Sequence, residues 1–404
     1  MQTRLRFNNR QNIKLSAILH EPNIGKPLAY ALYAHCFTCT KSIKAAVIIA
    51  DALAQRGIAI MRFDFTGLGG SKGAFEDSNF STNIDDLIDA AHFLEQQYQA
   101  PQLLVGHSLG GTAMLAAAQH IESAKAVATI GSPSEPNHIL HLLEEHLRDL
   151  QNDGQTDVEL AGRPFTFKQS FVDDIRKHEI DYPKLRKALM IMHSPIDDVV
   201  SIDEAGKIFA QAKHPKSFVT LEDADHLLQK REDATYAAEV LSSWALRYLD
   251  LSEEQTDDVP GVMVKAQTDE GFLCEISAGK HLFIGDEPLS FGGSDLGPTP
   301  YDFLAAALGT CTAMTLNMYA RRKKIPLIDV KVEVEHSRIH INDCDDCQQG
   351  SENSSKQVHV LNRSIELRGE ISEAQRNRML QIADLCPVHK TLENQIKIRS
   401  TLAS

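Results

Sequence analysis

Leu103-Leu104-Val105-Gly106-His107-Ser108-Leu109-Gly110 is an apolar run that ends in Gly-x-Ser-x-Gly, and a stretch of small residues with helical character, 112–119, follows it directly. Strand, sharp turn and helix in that order thrust a serine hydroxyl above a sheet edge, with the helix N-terminus behind it to favour developing negative charge. The stretch therefore predicts a serine nucleophile carried on a sheet. It accounts for only part of a 404-residue chain, a length that suggests two domains, each with its own core.

Short strand-like runs alternate with helical patterns on both sides of this motif. Strands are predicted at 14–20, 29–34, 59–63, 102–105, 126–130, 188–193 and 217–221, and helices at 42–55, 83–97 and 202–211. Continuous apolar strands separated by helices imply a doubly wound, mostly parallel α/β sheet covered on both faces. Residues 136–183 break the rhythm, with helical spacing at their start, and read as a small cap over the C-terminal edge of the sheet. The first domain spans 1–250, and the acidic, apolar-poor stretch 251–260 ending at Pro260-Gly261 reads as a linker.

A serine needs a histidine to take its proton, and the histidine needs an acid to hold its tautomer. The chain order Ser, then acid, then His is met by Asp197, just after the strand at 188–193, and His226, just after the strand at 217–221. Asp198 is the adjacent alternative. The oxyanion hole calls for the backbone N–H of Leu109 and a second from His35-Cys36-Phe37-Thr38-Cys39-Thr40-Lys41, that of Phe37 or of Cys36. His35 and His107 read as supports that hydrogen-bond around the site. The Gly-rich run Thr66 to Gly73 lacks the Gly-Lys-Ser/Thr order of a phosphate loop and reads as a turn braced by Asp64.

With strand, elbow, acid and base together, residues 1 to about 250 resemble the α/β-hydrolase family, in the group with esterases and small serine peptidases. The resemblance implies hydrolysis of an ester or thioester with no cofactor. Cys36 departs from the family pattern, which commonly has Gly in that loop.

Domain two, 261–404, opens with strands at 262–267 and 272–276, then a long apolar helix at 301–321, strands at 330–341 and 360–368, and helices at 372–386 and beyond Pro387. That order predicts an α+β domain of a different class. Gly309-Thr310-Cys311 sets one cysteine in the apolar helix, and Cys386-Pro387-Val388-His389-Lys390 sets another at a helix boundary, a setting that favours thiol chemistry. These motifs, with their spacing and strand order, resemble the OsmC/Ohr family over about 260–404. The resemblance implies an intertwined homodimer and reduction of organic hydroperoxides, with Cys311 matching the peroxidatic position, Cys386 the resolving one, and a cellular dithiol as reductant. The alternative is a noncatalytic dimerisation or lipid-binding module. The family's activating Glu is replaced by Tyr301 with Asp302 beside it, and 261–296 contains no Arg, which leaves Lys265, Lys280 or His281 to supply positive charge.

His336, His340, Cys344 and Cys347 have the ligand types of a zinc site. Two histidines four apart on an extended strand stand about 13 Å apart, so both bind one ion only if the strand bends. The net charge of −14 argues against a nucleic-acid or anionic-membrane surface. The N-terminus lacks an apolar signal region, no apolar run reads as membrane-spanning, and seven cysteines in a large chain fit reduced thiols. A cytoplasmic location is the expectation.

Overall fold

Runs such as Leu103-Leu104-Val105 are apolar at every position because the strands they form are covered on both faces. A computed structural model describes residues 2–23, 26–37, 39–160, 162–251, 261–266, 271–279, 281–340 and 357–402. It divides into two units, Met1–Val259 and Pro260–Ser404. The acidic stretch at 252–260 lies outside the described residues.

In the first unit the elements run β1 (Gln2–Asn8), β2 (Lys14–His20), β3 (Ala29–Ala34), α1 (Lys44–Gln55), β4 (Ile58–Phe63), α2 (Phe80–Gln97), β5 (Leu103–His107), α3 (Leu109–Ala117) and β6 (Ala126–Ile130). A cap follows, made of a 3-10 stretch (Pro136–His146), α4 (Leu147–Asp153), the hairpin β7 (Gln155–Leu160) and β8 (Arg163–Lys168), and α5 (Gln169–Ile175). The fold closes with β9 (Ala188–His193), α6 (Ile202–Gln211), β10 (Lys216–Thr220) and α7 (Arg231–Ala245). The eight-stranded sheet has the order β1-β2-β4-β3-β5-β6-β9-β10. It is parallel from β4 to β10, and β1 and β2 add an antiparallel edge.

Successive residues of each strand feed opposite faces. Leu104, Val127 and Leu189 pack with α2, α3 and the cap, whereas Leu103, Val105 and Met190 pack with α1 and α7. β5 lies between β3 and β6, so the turn that follows it emerges at the middle of the sheet's C-terminal edge, where crevices form in such folds. The cap carries a hairpin that helical spacing did not predict. Its alternation, Val158 in on one strand and Phe165 and Phe167 in on the other, is a strand period.

The second unit consists of a three-stranded antiparallel sheet of β11 (Val262–Ala266), β12 (Cys274–Ala278) and β13 (His281–Gly285), the helix α8 (Pro300–Lys323), the hairpin β14 (Leu327–His340) and β15 (Gln357–Gly369), and the helices α9 (Glu373–Ala383) and α10 (Pro387–Glu393). Its core is small: Leu316, Ala320, Met379 and Ala383 are buried, with Tyr319, Val330, Ile365 and Leu367 packed against them. α8 buries only the stripe Leu308, Thr312, Leu316 and Ala320, every fourth residue, while Met314 and Met318 stand exposed. This 24-residue helix is long and apolar enough to cross a membrane by length and composition, which corrects the expectation that no such run exists.

Candidate active site

Ser108 sits at φ 55°, ψ −133° between β5 and α3. That left-handed backbone costs on the order of 1–3 kcal/mol for a residue with a side chain, and it aims Oγ away from the sheet. Both glycines of the motif are required by close approach. A Cβ on Gly106 would overlap the Gly111 backbone, and one on Gly110 would overlap the carbonyl oxygen of His35. Gly110 thereby lets the loop after β3 lie directly against the start of α3.

The loops after β9 and β10 bring the other two groups to the serine. His226 Nε2 stands 3.0 Å from Ser108 Oγ, and His226 Nδ1 stands 2.7 Å from Asp197 Oδ2. Asp197 Oδ1 accepts the amides of Val199 and Val200 at 2.9 and 2.8 Å. Burial works to raise this carboxyl, but the bond from His226 and those amides outweigh it and hold it below the usual carboxylate range. Asp198, the neighbouring alternative, is exposed and makes no such contact. His193 Nε2 donates to the carbonyl of Val200 at 2.8 Å and so closes the loop that carries Asp197.

His107 is wholly buried, its Nε2–H donates to the carbonyl of His226 at 2.7 Å, and burial followed by the nearby His226 pushes its pKa down to about 3. It is therefore a neutral support. His35 is neutral for the same first reason, burial, and its Nδ1–H donates to the carbonyl of Cys36 at 2.7 Å. The amides of Phe37 and Leu109 donate to no other group among the described residues, and both residues line the cavity that contains Ser108. Asp64 accepts the amides of Lys41 and Gly70 at 2.7 and 2.8 Å and the Lys41 ammonium, so it ties the oxyanion loop to the Gly-rich turn.

The cavity measures about 640 Å³. Ile43, Ile139, Leu142, Leu160, Val200 and Leu227 give it an apolar wall, and Arg163 of the cap hairpin supplies its one permanent charge among the described lining residues. Cys36 and Cys39 lie in the same wall and form a disulfide. This corrects the expectation of reduced thiols throughout: the two are three residues apart on a tight turn, Cα to Cα 5.2 Å, which is bridging distance.

In the second unit Cys311 lines an apolar cavity of about 1130 Å³ with Phe272, Cys274, Phe283 and Met314. Cys386 is buried elsewhere. Its Sγ accepts the His389 amide at 3.3 Å, capping α10, and lies 3.7 Å from the hydroxyl of Thr312, on a face of α8 about 100° from that of Cys311. Both thiols are free. Arg363 of β15 donates to Thr312 Oγ1 at 2.9 Å, the hydroxyl that lies beside Cys386, and to Asp384 at 2.6 Å. Lys280 lies outside the described residues. Asp302 is consumed by capping α8, where it accepts from Thr299, and Tyr301 stacks on His336 at 4.0 Å.

Of the candidate zinc ligands, His336 pairs across the hairpin, its Nε2 2.8 Å from His359 Nδ1. The strand stays extended through this region, with a regular register from Asp329 to His340. Cys344 and Cys347 lie outside the described residues, and among the described residues no group of three His, Cys, Asp or Glu is arranged to hold a metal.

Two family models match the sequence: serine aminopeptidase S33 over residues 39–163 and OsmC-like protein over residues 292–401. The esterase domain of a Rhodothermus marinus protein is 43% identical, covering 61% of this chain and 99% of that one, with a TM-score of 0.52. The mitochondrial palmitoyl-protein thioesterase ABHD10 of Rattus norvegicus is 28% identical over 158 residues, 38% of this chain. The chain spans about half the length of that relative, 49%. Est1E of Butyrivibrio proteoclasticus, solved with ferulic acid, shares the fold at 20% identity, 60% of this chain, 98% of that one and a TM-score of 0.52.

Proposed function

Because the first unit belongs to the α/β-hydrolases and the second to the OsmC-like proteins, we propose that the chain is a serine hydrolase of esters or thioesters with apolar acyl groups, carrying a thiol-dependent hydroperoxide reductase. The observation that carries the first half is the unbroken relay Ser108 to His226 to Asp197, at 3.0 and 2.7 Å. Ser108 Oγ attacks the acyl carbon while His226 Nε2 takes its proton. Asp197 holds the imidazole in the tautomer with Nδ1–H and stabilises the imidazolium. Negative charge on the former carbonyl oxygen meets the amides of Phe37 and Leu109, each worth roughly a hundred- to a thousandfold in rate. Collapse expels the alcohol or thiol, protonated by His226, and water then deacylates the serine with the same base.

The apolar wall of the cavity favours an acyl chain, and the relatives named an esterase domain and a thioesterase support both leaving groups. No cofactor enters this chemistry. Fluorophosphonate labelling and p-nitrophenyl ester hydrolysis, both lost in Ser108→Ala, test it.

For the second unit, Cys311 attacks the O–O bond of an organic hydroperoxide, an alcohol leaves, and the sulfenic acid condenses with Cys386 to release water. A cellular dithiol returns both thiols. The open apolar cavity around Cys311 supports this reading, and the exposed Met314, Met318, Val262 and Val264 support pairing with a second copy. One observation favours the second reading, a dimerisation or lipid-binding module: Cys386 is sequestered against Thr312. Peptide mass spectrometry after a stoichiometric organic hydroperoxide decides between them, since only the reductase forms a Cys311–Cys386 disulfide.

A further inference from the structure

Cys36 and Cys39 bracket the oxyanion donor Phe37 and line the cavity that holds Ser108. The peptide unit that joins Cys36 to Phe37 is planar, so the direction of the Cys36 carbonyl sets the direction of the Phe37 amide. That carbonyl is held on one side by His35 Nδ1 at 2.7 Å and by the Cys39 amide at 3.1 Å, the latter bond lying inside the ring that the disulfide closes. The loop is anchored outside the ring as well. Upstream, His35 abuts Gly110; downstream, the Lys41 amide and ammonium are fixed to Asp64.

Between those anchors the bridge is the one covalent constraint on the donor. A disulfide across a separation of three removes far less chain entropy than one closing a long loop, so its stabilising value is small. Its position is chemically telling: Cys36 is buried, whereas Cys39 is half-buried in the wall of a solvent-open cavity, within reach of a small thiol.

We infer that Cys36 and Cys39 form a redox site, acted on by dithiols and hydroperoxides, whose disulfide state aims the Phe37 amide and switches the hydrolase on. The inference rests on the serine-hydrolase reading of the first unit. In reduction, one thiolate of a dithiol attacks Cys39 Sγ and the Cys36 sulfur leaves and takes a proton. The reductant's second thiol then displaces Cys39, so two electrons and two protons pass to the loop and the reductant becomes a disulfide. In oxidation, the Cys39 thiolate attacks an organic hydroperoxide, the O–O bond breaks and an alcohol departs. Cys36 displaces water from the resulting sulfenic acid and restores the bridge. Two free thiols need more room than the bond they replace, so reduction relaxes the turn and with it the Phe37 peptide plane.

The test uses the full chain, reduced with dithiothreitol and desalted, then reoxidised with tert-butyl hydroperoxide. p-Nitrophenyl acetate turnover is read at each stage, and alkylation with peptide mass spectrometry reports the Cys36–Cys39 state. Turnover is expected to fall at least tenfold on reduction, with the roughly hundred- to thousandfold loss of a whole oxyanion donor as its upper range, and to recover on oxidation. The response should persist in C274S/C311S/C386S and vanish in C36S/C39S. Equal turnover in the two verified states, a response that survives in C36S/C39S, or a bridge that resists excess dithiothreitol overturns the inference. The wild-type titration decides by itself if the double variant does not fold. No turnover in either state brings down the hydrolase reading, and this inference with it.

Discussion

His107 and His226 are joined by a bond from the Nε2–H of one to the backbone carbonyl of the other, 2.7 Å long, with their rings 5.1 Å apart. The residue before the nucleophile thus holds the loop that presents the general base. Because burial keeps its pKa near 3, His107 is neutral and donates at every pH suitable for assay.

His107→Phe leaves the His226 carbonyl without that donor. A buried unsatisfied acceptor costs about 1–3 kcal/mol, and transferred to the orientation of the base it lowers kcat roughly tenfold to a hundredfold. The pH profile keeps its wild-type midpoint, because His107 does not titrate there. Steady-state kinetics on a p-nitrophenyl ester across pH 5–9 checks both statements.

Asp197 and Asp198 separate cleanly. Asp197→Asn removes the acceptor that fixes the His226 tautomer, and kcat is expected to fall by roughly ten-thousandfold. Asp198→Asn, on an exposed side chain without a contact to His226, leaves kcat within about twofold. Comparable losses in the two variants would mean that the acid is misassigned.

Glu204 makes stability depend on acid pH. Its Oε2 accepts the amide and hydroxyl of Ser134 at 2.8 and 2.5 Å, and Oε1 accepts Lys207 Nζ at 2.5 Å. Burial acts to raise this carboxyl, yet Lys207 and Ser134 hold it down to about 2 against an ordinary 4.5. A depressed folded-state pKa contributes stability that is fully present above pH 4.5 and is lost as pH falls toward 2. With the exposed Lys207 arm discounted for screening, the contribution is about 1–2 kcal/mol. Glu204→Gln should lose about that much at pH 7 in urea melts and match the wild type near pH 2.

Legibility in the sequence follows the range of the interactions. Strand, elbow and helix around Ser108 are consecutive, and β3, β6, β9 and α6 span the residues their patterns predict. Asp197 and His226 could be named because each follows a strand directly. β1 was hidden because Arg4 and Arg6 alternate with Leu5 and Phe7 on a half-exposed edge, so the segment reads as charged. The β7–β8 hairpin hid behind helical spacing in the residues before it.

Other pairings join residues far apart in the chain. Arg363 meets Thr312 and His336 meets His359 only once β14 and β15 are paired, which no local pattern encodes. Cys36 and Cys39 did leave a signal in their spacing, but an odd cysteine count in a large chain pointed toward reduced thiols.

Covalent catalysis by Ser108 is read by rapid mixing of the full chain with p-nitrophenyl acetate, following p-nitrophenolate together with peptide mass. In the wild-type chain a burst approaching one equivalent of p-nitrophenolate per chain is expected before the steady state, with the acetyl group trapped on Ser108 by acid quench. Acetyl found on another residue, or turnover that persists in Ser108→Ala, would contradict it.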